Sequence, residues 1–107
     1  MTESLDALEA QYFILKRNFD RLRNACGTEG QKALMTANVE QARDNYERCV
    51  NKVFDANDPA IVELTLKTSA ATAAIKGSLD DLEDMVTILQ VISGAVKIGT
   101  KLAALGA

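Results

Sequence analysis

A run of acidic side chains is the part of this sequence with the clearest potential for chemistry, because converging carboxylates can hold a divalent cation. The run consists of Asp80, Asp81, Glu83 and Asp84. The surrounding pattern places it in the first turns of a helix, where neighbouring residues point in different directions. Negative charge at that position interacts favourably with the positive end of the helix dipole. We therefore predict that these residues stabilise a helix terminus and bind no metal.

A second acidic group lies upstream and alternates with basic residues. Its carboxylates, Glu40, Asp44 and Glu47, share a predicted helix with Arg43 and Arg48. Opposite charges three or four residues apart on a helix form ion pairs at the surface. This pattern indicates a solvated, charged face and not a carboxylate site.

Histidine is absent from the sequence, and this removes the usual general base and the commonest metal ligand. It also removes the Ser–His and Cys–His arrangements that activate a nucleophile. The segment Gly27-Thr28-Glu29-Gly30 lacks the lysine of a phosphate-binding loop and follows a predicted helix instead of a strand. We expect a protein that is not an enzyme and that needs no cofactor.

The two cysteines, Cys26 and Cys49, are the remaining candidates for covalent chemistry. In the helical hairpin predicted below they lie ~27 Å apart along the helix axis. A disulfide requires Cα atoms within about 7 Å of each other, so the two cannot pair within one chain. We expect Cys49 to act as a small core residue. Cys26, near a helix end, could be exposed and cross-link two chains, but we expect it to be an ordinary reduced thiol.

Net charge and the N-terminal segment narrow the function classes further. The chain has 107 residues and a formal net charge of −3, which does not favour nucleic acid. The basic cluster of Lys16, Arg17, Arg21 and Arg23 contains Asp20 and is not continued elsewhere. The first residues lack the basic segment and apolar run of a secretory signal. We expect a cytoplasmic protein, with export without a cleavable signal as the open alternative.

Helices are predicted to position all of these residues. Apolar residues follow a heptad rhythm in a first segment, at Leu5, Leu8, Tyr12, Leu15, Phe19, Leu22 and Cys26. A second segment repeats the rhythm at Met35, Val39, Ala42, Tyr46, Cys49 and Val53. Thr28 and Gln31 are predicted to cap the second helix. The two series mirror each other about that turn, which predicts an antiparallel hairpin over about residues 4–54.

A second hairpin is predicted over about residues 58–107. Asp58 and Pro59 have the residue types of an N-cap and a first helical position. That third helix is predicted to run to about Lys76, with Gly77 at its end and Ser78 capping a fourth helix. Apolar residues mirror each other about this turn, in the pairs Ile75–Leu79, Ala71–Leu82, Thr68–Val86, Leu64–Leu89 and Ile61–Ile92.

Several apolar residues lie outside these seams and need cover from the other hairpin. They are Phe13, Ile14, Leu34, Val50, Phe54, Val62 and Leu66. Stacking one hairpin on the other would bury them. The sequence therefore predicts an all-α fold and a single domain over residues 1–107. In it, two antiparallel helical hairpins form an up-down-up-down four-helix bundle with a long apolar C-terminal helix.

The end of the last helix has no partner in the predicted register. Pro59 lies opposite about Gly94, so residues 95–107 would extend up to roughly 20 Å past the bundle. Four apolar side chains would then be uncovered: Val96, Ile98, Leu102 and Leu105. Three outcomes would cover them: folding back onto the bundle, docking against a second copy or another protein, or lying at a membrane surface with Lys97 and Lys101 towards the headgroups.

We expect a non-enzymatic protein that acts through protein–protein interaction or self-association, mainly through the apolar C-terminal helix. The hypothetical partner-binding residues are Val96, Ile98, Leu102 and Leu105. Subunits, adaptors, small chaperones and toxin-neutralising immunity proteins all fit this expectation. The alternative is a membrane-associating helical protein that inserts its C-terminal amphipathic hairpin. The neighbouring acidic run would repel anionic lipid, and it therefore favours a protein partner.

Overall fold

The computed structural model describes residues 3–107, and all regular secondary structure in that range is helical. Five helices follow one another along the chain: α1 (Glu3–Arg17), α2 (Phe19–Ala25), α3 (Glu29–Cys49), α4 (Pro59–Ser78) and α5 (Met85–Ala104). Their packing is compatible with a helical bundle. The predicted all-α class is confirmed.

The first predicted helix is interrupted at Asn18, which separates α1 from α2. The Asn18 side-chain amide donates a hydrogen bond of 2.8 Å to the carbonyl oxygen of Ile14. Such a local bond competes with the helical hydrogen-bond ladder and bends the chain. The prediction of one unbroken helix from Leu5 to Cys26 is therefore wrong, although Leu15 and Leu22 on either side of the break are both fully buried.

The turn between α2 and α3 forms as predicted. Thr28 is the N-cap of α3, and its hydroxyl accepts a hydrogen bond of 3.1 Å from the Gln31 amide. The Gln31 side chain in turn accepts from the backbone amide of Gly27 at 2.7 Å. This reciprocal arrangement satisfies two amides at the turn that would otherwise lack partners.

The predicted seam of the first hairpin holds over most of its length. The rings of Tyr12 and Tyr46 stack with centroids 6.1 Å apart, and Leu8 and Cys49 belong to one buried cluster. The predicted pairing of Leu5 with Val53 is wrong, because α3 ends at Cys49 and Val53 is 70 % exposed.

The second turn lies further along the chain than predicted. Gly77 and Ser78 are part of α4, and α5 begins only at Met85. Asp84, not Ser78, is the N-cap, and its carboxylate accepts hydrogen bonds from the Thr87 amide at 3.1 Å and the Thr87 hydroxyl at 2.7 Å. A carboxylate that satisfies two donors provides a stronger start signal than the upstream serine hydroxyl.

This shift changes the register of the second hairpin and gives the end of α5 a partner. Both α4 and α5 are 20 residues long, so the start of one lies beside the end of the other. Ile61 shares a buried cluster with Leu102, and Ile75 shares another with Ile88. The predicted pairs about Gly77 and the predicted overhang of residues 95–107 are both wrong for this reason.

Hydrogen bonds between helices define which helices are neighbours and how they run. The hydroxyls of Ser4 on α1 and Thr65 on α4 lie 2.8 Å apart. Arg21 on α2 donates to the carbonyl oxygen of Leu79 just after α4, so α1 and its continuation α2 run in the same direction as α4. Helices α3 and α5 also run in parallel, because Asn38 donates to Ser93 and Asn45 donates to Thr100, each at 3.0 Å. Helix α1 packs against α3 and α4, and α5 packs against the same two helices.

Helices α1 and α5 meet in the interior at Gly99. The Gln11 amide, which is almost fully buried, donates a hydrogen bond of 2.9 Å to the carbonyl oxygen of Ala95. A Cβ atom added to Gly99 would lie 2.5 Å from Gln11 Oε1 and 3.6 Å from Leu8 Cδ2. Glycine at this position therefore leaves the space that the glutamine side chain occupies.

Gly99→Ala is expected to lower the free energy of unfolding by about 1–2 kcal/mol, because the new methyl group displaces the buried Gln11 amide. Gly94→Ala is expected to raise it by about 0.5–1 kcal/mol, the usual gain in helix propensity. A Cβ atom at Gly94 would meet nothing within 4 Å. Chemical denaturation measures both changes, and stabilisation in both variants would show that Gln11 is not held against α5.

Candidate partner-binding surfaces

The four residues proposed to bind a partner have different environments in the fold. Leu102 is fully buried and Val96 is 3 % exposed. Ile98 is half-buried, and Leu105 is 40 % exposed. Leu102 lies in the cluster that also contains Leu8 and Ile61, so its cover comes from the chain itself. Val96 and Leu102 are therefore not accessible to a partner in this fold, which leaves only Ile98 and Leu105 at the surface.

Other apolar residues remain at the surface instead. Stacking of the hairpins buries Ile14 and Phe54, as predicted. The prediction is wrong for the other off-seam residues, which are exposed: Phe13, Leu34, Val50, Val62 and Leu66. Val86 in the first turn of α5 is also exposed.

Leu34 and Val86 line a groove that we term the α3–α5 groove. Its lining residues are Gln31, Leu34, Val86, Leu89, Gln90 and Ser93. The groove has a volume of about 270 Å³, and its walls are mostly apolar. Leu89 is buried, whereas Leu34 and Val86 are 45 % and 59 % exposed.

The hydrogen bond between Asn38 and Ser93 bounds one end of the α3–α5 groove. The Asn38 amide donates at 3.0 Å both to Ser93 Oγ and to the Leu34 carbonyl oxygen. This bond holds α3 and α5 together one turn beyond Leu34. Towards the other end α5 begins, so that no earlier turn of the same helix covers Val86.

Acidic residues lie in the loop just before Val86, at the start of α5. Residues 79–84 connect α4 to α5 and contain Asp80, Asp81, Glu83 and Asp84. Hydrogen bonds from the hydroxyl and amide of Thr87 lower the pKa of Asp84, so this carboxylate is charged at neutral pH. The chain segment that leads into the groove is therefore negatively charged.

The same carboxylates make local hydrogen bonds to the backbone. Asp81 accepts a bond of 3.0 Å from the Glu83 amide, and Asp84 caps α5. Within residues 3–107 no three acidic or cysteine side chains converge on a point that could hold a metal ion. The acidic run thus acts on the loop and on the helix terminus.

Phe13 is exposed, but side chains of the same chain pack around its ring. Its ring centroid lies 5.3 Å from that of Tyr12 and 6.0 Å from that of Tyr46. The ammonium group of Lys16 lies 5.9 Å from the Phe13 ring centroid and 5.7 Å from that of Tyr12. A cation held over these rings occupies the face that a partner would need.

Both thiols are unpaired and buried. Cys49 belongs to the core as predicted, and its Sγ donates to the Ala103 carbonyl oxygen at 3.6 Å. Cys26 is only 6 % exposed, so the possibility of an exposed thiol is wrong. Its Sγ donates to the Leu22 carbonyl oxygen at 3.3 Å. Burial raises the pKa of both thiols, which keeps them protonated and weakly nucleophilic.

The sequence indicated one half of the α3–α5 groove and missed the other. The apolar spacing predicts that Leu34 needs a packing partner, but it places Val86 opposite Thr68, which is the wrong register. The residues Asp84 and Thr87 carried the missing signal, since an aspartate three residues before a hydrogen-bonding partner is a common N-cap pattern. A start at Met85 would have placed Val86 in an unprotected first turn.

Within the described range, α5 is the one helix long and apolar enough to cross a membrane, with a mean hydropathy of 1.3. The core helix of a globular protein passes the same test. Nine of the 20 residues of α5 are buried in this fold. Comparison with protein-family models, with curated proteins and with solved structures found no match to this chain.

Proposed function

We propose that this protein acts without catalysis, by binding a segment of another protein in the α3–α5 groove. The observation that carries the proposal is the exposure of Leu34 and Val86 above the buried Leu89, in a groove of about 270 Å³. The space between Leu34 and Val86, above Leu89, can accept one or two apolar side chains of a partner helix. Within α5, the exposed apolar wall of this groove is Val86 in the first turn.

The charge near the groove supports one partner chemistry over others. The adjoining loop carries Asp80, Asp81, Glu83 and Asp84, and Glu29 is exposed in the first turn of α3. The nearby Lys32 is engaged by Glu29 at 3.6 Å. A partner segment with an apolar anchor flanked by lysine or arginine complements this arrangement. We therefore propose a basic amphipathic helix as the occupant.

We further propose that residues 3–107 act as one domain, an up-down-up-down bundle built from α1, α3, α4 and α5. The interhelical hydrogen bonds support alternating directions along the chain. A cytoplasmic location is part of the same proposal. It is supported by two unpaired, buried thiols, which suit a reducing compartment.

Val86→Asn is expected to weaken binding of basic amphipathic peptides by at least about tenfold, because it replaces an apolar wall of the groove with a polar side chain. The peptides would be selected from a random displayed library against the unmodified protein. Fluorescence anisotropy with the selected peptides then measures the affinities of both proteins.

Val50→Asn provides the matched control. Val50 is also an exposed valine, at the end of α3 and outside the groove, so affinity should change by less than about twofold. Selection of acidic peptides, equal losses in both variants, or no enrichment at all would contradict the proposal.

Membrane association is a second candidate function, favoured by the length and mean hydropathy of α5. Insertion would require unpacking the buried residues of that helix, and it would carry Lys97 and Lys101 into the bilayer. Flotation with neutral and anionic vesicles at low salt tests it. Binding to both kinds of vesicle would favour insertion over the α3–α5 groove.

A further inference from the structure

Helices α1 and α4 form a surface on the side of the bundle away from the α3–α5 groove. We term it the α1–α4 face. From α1 it presents Glu3, Asp6, Ala10 and Arg17. From α4 it presents Val62, Leu66, Ser69, Ala73 and Lys76. All nine residues are exposed. Their spacing of three, four or seven residues places each set on one side of its helix.

The apolar part of this face lies on α4. Leu66 is 67 % exposed and Val62 is 44 % exposed. They are followed at heptad spacing by the small residues Ser69 and Ala73. These four residues form a second row along α4. The row lies on a different side of the helix from the core residues Ile61, Thr65 and Thr68.

Charge is distributed unevenly along the α1–α4 face. Because α1 and α4 run in parallel, Glu3 and Asp6 lie near the first turns of α4, beside Val62 and Leu66. Arg17 and Lys76 lie towards the opposite end of the two helices, where Arg21 contacts Leu79. Within residues 3–107 none of these four charged side chains makes an ion pair. The face therefore has an acidic end and a basic end.

The middle of the face is occupied by small side chains. Ala10 on α1 and Ser69 on α4 line the same shallow groove, beside Leu66. Small residues at the crossing point let the backbones of two helices approach closely. A large apolar residue of a partner can then pack between the helices.

We propose that the α1–α4 face binds a second copy of this chain, in an antiparallel arrangement about a two-fold axis that passes near Ala10 and Ser69. A two-fold axis there brings the acidic end of each copy to the basic end of the other. Leu66 of each copy then packs against Ala73 of its partner, and Val62 packs near Lys76. The charge pattern is self-complementary in this orientation and self-repelling in the parallel one.

A dimer of this kind would use most of the long side of the molecule. The molecule measures 43 × 21 × 18 Å along its principal axes, and a stable interface needs about 800 Å² from each partner. The proposed contact goes beyond the α3–α5 groove and leaves it open. Each dimer would present two α3–α5 grooves. The experiments on peptide binding and on self-association therefore test the two proposals independently.

Leu66→Asp is expected to weaken self-association by at least about 30-fold, since it places a carboxylate in the apolar centre of both halves of the interface. Sedimentation equilibrium over roughly 1–500 µM full-length protein measures the dissociation constant. Leu34→Asp is the matched control, because Leu34 is an exposed leucine on the opposite side, and its dissociation constant should match that of the unmodified protein within about twofold.

A charge exchange tests the antiparallel orientation. Glu3→Arg and Arg17→Glu should each weaken the dimer about tenfold, and the double variant should recover most of the loss, because the two-fold axis near Ala10 places Glu3 of each copy opposite Arg17 of the other. Melting curves show that the variants remain folded. A monomer throughout the concentration range, equal losses in Leu66→Asp and Leu34→Asp, or a double variant no better than the single ones would overturn the proposal.

Discussion

Leu102→Asp is expected to abolish the folded state, whereas Leu105→Asp three residues later is expected to leave it intact. Leu102 is fully buried among Leu8, Phe54 and Ile61, and Leu105 is 40 % exposed. Loss of the leucine side chain alone costs about 2–5 kcal/mol. Burial of an unpaired carboxylate adds several kcal/mol. The sum approaches the ~5–15 kcal/mol by which a typical domain is stable.

Circular dichroism during thermal unfolding measures both effects. We expect Leu102→Asp to lack a cooperative transition at neutral pH and to recover part of its helix content in acid, where the carboxylate is protonated. Leu105→Asp should melt within a few degrees of the unmodified protein. Similar melting temperatures for the two variants would mean that the end of α5 does not pack on the bundle.

Leu15→Ala is expected to lower the free energy of unfolding by about 2–5 kcal/mol. Leu15 is fully buried in the larger core cluster, which also contains Leu22, Met35 and Ile92. The cavity left behind cannot collapse easily, because residues from α2, α3 and α5 line the same cluster. Urea denaturation at equilibrium measures the change.

Leu34→Ala makes the same chemical change at a surface position and serves as the control for Leu15→Ala. Leu34 is 45 % exposed, so the loss should stay below about 1 kcal/mol. A loss under 1 kcal/mol for Leu15→Ala as well would place that residue outside the core and would invalidate the seam of the first hairpin.

The first hairpin could be predicted in detail because its seams are strongly periodic and its turn has a clear capping pair. Thr28 and Gln31 lie three residues apart, and each completes the other's hydrogen bonding. The stacking of Tyr12 on Tyr46 follows directly from that turn. The break at Asn18 was not predictable from apolar spacing, since the apolar rhythm continues through it.

The second hairpin was placed in the wrong register because two cap signals compete within seven residues. Gly77 and Ser78 resemble a helix end and a helix start, yet Gly77 lies within α4. Asp84 has the stronger hydrogen bonds. A turn displaced by a few residues moves every pairing in the hairpin. The whole expectation of an uncovered tail at Val96 and Leu102 followed from that displacement.

Polar residues in the core were also missed. Gln11 and Asn45 are each 1 % exposed, but neither belongs to an apolar seam. Their partners, Ala95 and Thr100, lie on another helix far along the chain. Spacing within one helix therefore carries no information about them. Each buried side-chain polar atom in the described range nonetheless has a hydrogen-bond partner.

Predicting the α3–α5 groove requires both the apolar spacing within one helix and the register between two helices. Its apolar walls were partly visible in the sequence, because Leu34 lies off the seam of α3. Its depth and its boundary at Asn38 come from the register between α3 and α5, which only the folded chain defines. The pattern predicts the loop carboxylates as a helix-terminal group, and only the observed start of α5 at Met85 places them in the loop before the groove.

The two asparagine bonds between α3 and α5 also govern errors of alignment during folding. Asn38 and Asn45 are separated by one heptad, as are Ser93 and Thr100. If α5 slid by a single helical turn, both asparagines would lose their partners, and each stranded amide would cost about 1–3 kcal/mol. If it slid by two turns, one of the two bonds would re-form with the wrong residue. A shift of α5 by a full heptad is therefore the misalignment with the lowest free-energy cost. The misaligned protein is the form to look for as a slowly folding trap.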